Sequence, residues 1–228
     1  MEDSWKEYFQ LYAKSNEMRE KIQDARQIIS SNAENAYIAY SGGKDSIVLL
    51  SLASAINPEI SVFHFVAGKY LIPTWLENQV MENATKIAPQ ANLNCYEFRL
   101  GNFPKSRSSS TTVSWYAAFY SELSVFKKKT GCKVGLIGLR SEESHKRKHK
   151  LSFEESATDR YPLKNWTWKD IWGYIISTRL PYPSSYDSYA ELLGWEQARF
   201  VSFFDGEFDK FNSTAIDNLL MWREKHIS

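Results

Sequence analysis

The chain has 228 residues, a formal net charge of +1, 43% hydrophobic and 15% aromatic residues. That length fits one α/β domain with a small appendage, and the apolar share is enough for a core. The near-neutral charge gives no footprint for bulk nucleic-acid binding. No apolar run reaches membrane-span length, and the start Met1-Glu2-Asp3 is acidic rather than signal-like, so a cytoplasmic protein without a membrane partner is expected. Two cysteines, Cys95 and Cys132, offer neither a disulfide framework nor a Cys-x-x-Cys metal or iron–sulfur site.

Trp5, Tyr8, Tyr12, Met18, Ile22, Ala25 and Ile29 recur at helical spacing, predicting one or two amphipathic helices over about 3–31. The aromatic stripe reads as core packing rather than a docking face. Residues 30–35 break the pattern, and Ala36–Tyr40 is a short buried strand. It runs into Ser41-Gly42-Gly43-Lys44-Asp45-Ser46, a glycine turn that opens an apolar helix over about 44–55. Glycines let the backbone turn sharply and approach a ligand closely. The helix N-terminus presents unpaired N–H groups and positive dipole density. With the Lys44 ammonium and the Ser41 and Ser46 hydroxyls, this set suits a phosphate or pyrophosphate. Asp45 either caps the helix or holds a divalent metal against the phosphates.

Strand two spans about 60–66, and Pro73 opens a helix over about 74–88. Leu93–Arg99 is strand three, with Cys95 inside it. Residues 105–112 are polar and read as a surface loop, with a lid over a nucleotide as the alternative. A helix follows over Trp115–Lys129, and Val134–Gly138 is strand four, with Cys132 just before it. Both cysteines read as buried structural thiols. Strands alternating with helices predict a doubly wound, mostly parallel sheet, whose ligands sit beyond the carboxyl ends of the strands. The Ser41–Ser46 turn and the Gly138-Leu139-Arg140 turn both lie at such ends and are expected to face one pocket. Arg140 and Arg147 can fork onto phosphate or sulfate oxygens, with Glu143 orienting one of them.

The basic run His145–Lys150 reads as a solvated loop, with nucleic-acid contact as the weaker alternative. His145 and His149 lack a third metal ligand. Thr167 and Asp170 form a capping-box pattern at a helix that carries Trp168 and Trp172 on one face and ends before Leu180-Pro181. The aromatic stretch after residue 187 is too apolar for a disordered tail. It either covers the sheet edge or forms a contact with a homodimer mate or complex partner.

The turn is not a Walker A loop: Ile38 stands where that loop needs its first glycine, and Asp45 follows the lysine where it needs Ser or Thr. Ser41–Ser46 instead resembles the PP-loop of the ATP pyrophosphatase, or adenine nucleotide alpha hydrolase, superfamily. Together with Gly138–Arg147 and Pro162–Asp187, in that order, it resembles the phosphoadenosine phosphosulfate (PAPS) reductase family. The resemblance implies a single domain over 1–228, with a helical lead-in at 1–32, a nucleotide-binding core at 33–187 and a mainly helical extension at 188–228. It implies that Ser41, Gly42, Gly43, Lys44, Asp45 and Ser46 contact the phosphates of an adenine nucleotide, and that Arg140 and Arg147 meet a distal phosphate or sulfate.

Two departures stand out. Val66–Pro73 keeps the family's Gly and Pro but has no Asp, and no cysteine follows Cys132, whereas family reductases use a cysteine near the C-terminus as nucleophile on the sulfonate. The cysteine pairs of an iron–sulfur cluster are missing too. The first expectation is therefore ATP pyrophosphatase chemistry. ATP with Mg²⁺ places its α-phosphate at the turn, and AMP is transferred with release of pyrophosphate. Lys44, Asp45 and Arg140 are the catalytic residues, with Mg²⁺ held by Asp45. The alternatives are a phosphoadenylyl-sulfate reductase that uses an external thiol, and a non-catalytic nucleotide-binding subunit of a sulfur-transfer or nucleic-acid-modification complex.

Overall fold

A computed structural model of the chain describes residues 1–66, 72–97, 109–143 and 158–200. The basic run with Arg147, His145 and His149, the Gly68 turn, and the tail from 201 onward lie outside these residues.

Five parallel strands form one sheet in the order β3-β2-β1-β4-β5: β1 (Ala36–Tyr40), β2 (Ser61–Val66), β3 (Asn92–Glu97), β4 (Val134–Ile137) and β5 (Asp159–Arg160). β1 is central, with Tyr40 level with His64 on β2 and Ala39 level with Ile137 on β4. The period-two alternation of β1 and β2 separates two cores. Ile38, Tyr40 and Val62 face a large cluster with the helices α1 (Asp3–Tyr12), α2 (Asn16–Ser30), α3 (Lys44–Ser54) and α4 (Thr74–Ile87). Tyr37, Phe63 and Phe65 face the other way, onto Phe126, Phe119 and Trp115 of α5 (Ser109–Thr130). Helices thus cover both faces, as the doubly wound expectation requires. α3 is buried almost all round, with Ile47, Val48, Leu49, Leu50, Leu52 and Ala53 in the core, which explains why its sequence lacks a polar face.

α1 and α2 match the helical spacing of residues 3–31, and Ser15 caps α2 by accepting the Met18 N–H at 3.2 Å. They are tied to α6 (Trp168–Ser177) through Asp170. This fully buried carboxylate accepts the Tyr12 hydroxyl at 2.8 Å, the Lys21 ammonium at 2.8 Å, and the Thr167 N–H and hydroxyl at 2.5 and 2.9 Å. The capping box is therefore present, and it doubles as the anchor of the N-terminal helices. Trp168 and Trp172 pack differently despite their spacing. Trp168 meets Trp5 and Phe9, while Trp172 meets Tyr182, Tyr186 and Trp195. α6 ends as Leu180 N–H reaches back to the Ile175 carbonyl at 2.9 Å, and α7 (Ser185–Leu193) follows Pro181 and Pro183.

Three expectations are corrected. α5 begins at Ser109, inside the stretch read as a loop, because no Gly or Pro interrupts 105–130 and the rings of Trp115 and Phe119 pack edge-to-face with Phe65, so packing overrides the weak helix propensity of Ser and Thr. Cys95 is exposed rather than buried: among the described residues β3 is the edge strand, paired with β2 alone. Cys132 is half-buried, its thiol 3.5 Å from the Ala36 carbonyl. The two-residue β5 was not anticipated, since so short a strand carries no alternation to read.

Candidate functional site

The chain leaves β1 at Tyr40 and enters α3 at Lys44. Gly42 has φ +78°, a left-handed conformation, and a Cβ there would stand 2.5 Å from the Val80 methyls of α4. No other residue fits both the dihedral and the space. Gly43 is the N-cap of α3, with no side-chain cap. Ser41 and Ser46 bind the turn together: the Ser46 hydroxyl donates to the Gly43 carbonyl at 2.8 Å, the Ser41 N–H donates to Ser46 Oγ at 3.3 Å, and the Gly43 N–H donates to Ser41 Oγ at 3.3 Å. These hydroxyls hold the turn's own shape.

The end of β4 meets the same place. A Cβ on Gly138 would lie 3.0 Å from the Asp45 carbonyl carbon and 3.2 Å from the Ser46 nitrogen, so the β4 exit runs against the first turn of α3. This contact brings Arg140 to Asp45, as expected for two turns facing one pocket. Arg140 is 3% exposed; its Nε donates to Asp45 Oδ1 and its NH1 to Glu142 Oε2 at 2.7 Å. Asp45 Oδ2 lies 3.4 Å from Lys44 Nζ. Glu142 also accepts the Trp168 N–H, the first amide of α6, at 2.7 Å. One run of charges, Lys44–Asp45–Arg140–Glu142, thus links the turn to the start of α6. Glu142 orients Arg140; the side chain of the expected Glu143 lies outside the described residues.

Lys44 is 4% exposed. Burial pushes its pKa down; Asp45 opposes the shift, and Arg140 adds to it. The Lys44 ammonium and the Arg140 guanidinium share Asp45, and Arg199 adds further positive potential at Lys44. That is the electrostatic condition under which an anion binds. Tyr186 of α7 was missed by sequence reasoning. Its buried hydroxyl accepts the Lys44 N–H at 2.7 Å, and its ring lies 5.9 Å from Lys44 Nζ. Burial drives its pKa upward, so it stays a phenol. Tyr186-Asp187 carried no signal beyond its place in a motif.

The donor set does not fit Mg²⁺. Both oxygens of Asp45 face cations, and a divalent ion there would have to displace Lys44 or Arg140. Among the described residues no group of three or more His, Cys, Asp or Glu could hold a metal. Nor is either thiol placed in the turn. Cys132 sits before β4, the length of that strand, on the order of 13 Å, from the loop end. Cys95 lies on β3 with its sulfur 3.8 Å from Met81 Sδ. Partial burial and then Glu77 push its pKa up, which disfavours the reactive thiolate.

Residues 35–198 match the phosphoadenosine phosphosulfate reductase domain, which is most of the chain. The adenosine 5′-phosphosulfate reductase of Bacillus mycoides is 23% identical over 205 residues, 86% of each chain. The protein of the same name from Bacillus anthracis is 27% identical over 169 residues, 70% of this chain and 73% of its own. Among solved structures, phosphoadenylyl-sulfate reductase from Candida auris superposes with a TM-score of 0.53 at 18% identity, covering 72% of this chain and 83% of its own. The U34-tRNA thiolase NcsA from Methanococcus maripaludis gives 0.51 at 12% identity, covering 90% and 78%. The two structures share the fold. The chain belongs to the PAPS reductase family.

Proposed function

We propose that this member of the PAPS reductase family is a sulfonucleotide reductase that takes its electrons from an external thiol. Its substrate would be an adenine nucleotide with a 5′-phosphosulfate, bound with its phosphate at the Ser41–Ser46 turn. The observation that carries the reading is the convergence of Lys44, the α3 N-terminus and Arg140 at the carboxyl ends of β1 and β4. The names of the relatives favour a sulfonucleotide over ATP, and the poor fit of Asp45 to Mg²⁺ weighs the same way. Residues 33–187 would form the nucleotide-binding core of one domain, and the enzyme would work in the cytoplasm; among the described residues no helix is long and apolar enough to cross a membrane.

The chemistry balances without a protein cysteine. An external thiolate attacks the sulfonate sulfur, the bond between sulfur and the phosphate oxygen breaks, and the nucleotide leaves through its 5′-phosphate with the electron pair. A second thiol attacks the sulfane sulfur of the resulting thiosulfonate and expels sulfite as a disulfide forms. Two thiols are oxidised, sulfur is reduced by two electrons, and each thiol releases a proton. Lys44 and the positive N-terminal end of α3 would hold the charge that collects on the departing phosphate. Asp45 and Glu142 would fix the Arg140 fork beside it.

A second reading, ATP α-phosphate chemistry with AMP transfer, rests on the position of the two thiols away from the turn. Calorimetric titration with AMP, adenylyl sulfate, phosphoadenylyl sulfate and ATP plus Mg²⁺, on the native chain and on Lys44→Ala, separates the two. Preference for a sulfonucleotide, lost in Lys44→Ala, with sulfite release in dithiothreitol, supports the first. Preference for ATP and release of pyrophosphate overturns it.

A further inference from the structure

Tyr186 is 1% exposed, and its hydroxyl reaches the first turn of α3. A phenolic hydroxyl accepts hydrogen bonds and has one hydrogen to give. The Lys44 N–H donates to its oxygen at 2.7 Å, which uses the accepting side. The Phe200 amide acts on the same oxygen in the same sense, as a donor does. Burial keeps the group a phenol, so its hydrogen stays in place. Among the described residues none accepts that hydrogen. Edge-to-face contacts with Trp172 and Tyr182, at centroid distances of 5.3 and 6.4 Å, hold the ring where it is.

Gly43 gives the hydrogen a place to point. A Cβ there would stand 3.4 Å from Ser41 Oγ, 3.5 Å from the Tyr186 hydroxyl and 3.7 Å from Phe200 Cβ. These are ordinary contacts, and φ −72° with ψ 156° suits any residue, so neither crowding nor backbone demands a glycine. The missing side chain instead leaves a niche between two hydroxyls at the positive end of α3. The Ser41 hydroxyl spends its hydrogen on Ser46 Oγ at 3.3 Å, which leaves Tyr186 as the donor. We propose that Tyr186 is a substrate-contacting residue whose hydroxyl donates to an oxygen of the nucleotide's 5′-phosphate seated in the niche at Gly43. A hydroxyl that accepts from an amide donates more strongly, so Tyr186 passes to the ligand the polarity of the amide it covers. The buried hydrogen gains its acceptor when the phosphate arrives.

The inference rests on the reading that the turn binds a nucleotide phosphate. The test is calorimetric titration with AMP on the native chain, Tyr186→Phe and Gly43→Ala, together with the ¹³Cζ resonance of Tyr186 in the native chain with and without AMP. Tyr186→Phe keeps the ring packing and should lose about tenfold or more in affinity, the worth of a hydrogen bond to a charged group. Gly43→Ala should keep the native melting temperature and still lose affinity, because its methyl group fills the niche. The Tyr186 resonance should shift when AMP binds, and it decides the matter in the native chain if Tyr186→Phe does not fold. Unchanged or tighter AMP binding by Tyr186→Phe overturns the inference and leaves nucleotide binding intact; the phenol then only covers the Lys44 amide. Native affinity in Gly43→Ala, or a resonance that AMP does not move, overturns it as well. Absence of AMP binding to the native chain overturns the nucleotide reading and the inference with it.

Discussion

Asp45 and Arg140 form an ion pair that closes the first turn of α3 against the exit of β4, and both carboxylate oxygens of Asp45 are committed to cations. The pair is largely buried, and Glu142 shares the guanidinium. Removing one partner of such a pair leaves the other charge uncompensated, at a cost of about 3–5 kcal/mol. Arg140→Ala should lower the melting temperature strongly and abolish nucleotide binding. Arg140→Lys should recover part of the stability without the binding, because an ammonium cannot bridge Asp45 and Glu142 as a fork does. Thermal unfolding and calorimetry on both variants check this; a fully binding Arg140→Lys would mean that the fork has no role.

Gly138 presses its backbone on that of Asp45 and Ser46. Gly138→Ala must push α3 and β4 apart, at about 1–3 kcal/mol. Nucleotide affinity should fall more than stability implies, since the displaced atoms are the turn itself. Comparison of the affinity loss with the unfolding free energy in urea measures this.

Asp170 offers a pH prediction. Tyr12 donates to it, and burial with that hydrogen bond raises the Tyr12 pKa to about 12. The folded state therefore keeps this proton above the pH at which the unfolded chain, with its ordinary tyrosine pKa of about 10, releases it. The stability so gained is present below pH 10 and is lost as pH rises from about 10 to about 12. Tyr12→Phe should flatten that part of the stability profile followed by circular dichroism. Asp170→Ala should destabilise more than Tyr12→Phe at neutral pH, because Tyr12, Lys21 and the Thr167 cap all lose the same buried acceptor.

Cys95 is exposed and Cys132 half-buried, so a maleimide should label Cys95 first, and slowly for an exposed thiol. The double variant Cys95→Ser, Cys132→Ser should release sulfite in dithiothreitol at the native rate. A loss beyond that explained by stability would make one of these thiols the nucleophile.

The strand–turn–helix of residues 36–54 was legible because its signals are local: a buried apolar strand, two glycines, and a helix apolar on every side. The Thr167–Asp170 cap was legible for the same reason. Cys95 was misread because the edge position of β3 depends on the order in which strands pair, which the residues of β3 do not encode. The start of α5 was misread because ring contacts from Phe65, distant in the chain, stabilise a stretch of serines and threonines.

By itself the sequence determined the class of fold, the turn at 41–46 and the approach of Arg140 to it, since hydrophobic period, glycine placement and strand ends act within a few residues. The tertiary structure alone decided what those groups touch. Asp45 is held by Lys44 and Arg140, Glu142 completes the fork, Tyr186 takes the first amide of α3, and His64 with Glu77 holds the carbonyl before the turn. The pairings of Asp45 with Arg140 and of Lys44 with Tyr186 join elements far apart in the chain. Their energies come from burying opposite charges and hydrogen-bonding groups at one end of a sheet, and only the folded sheet brings those groups within reach.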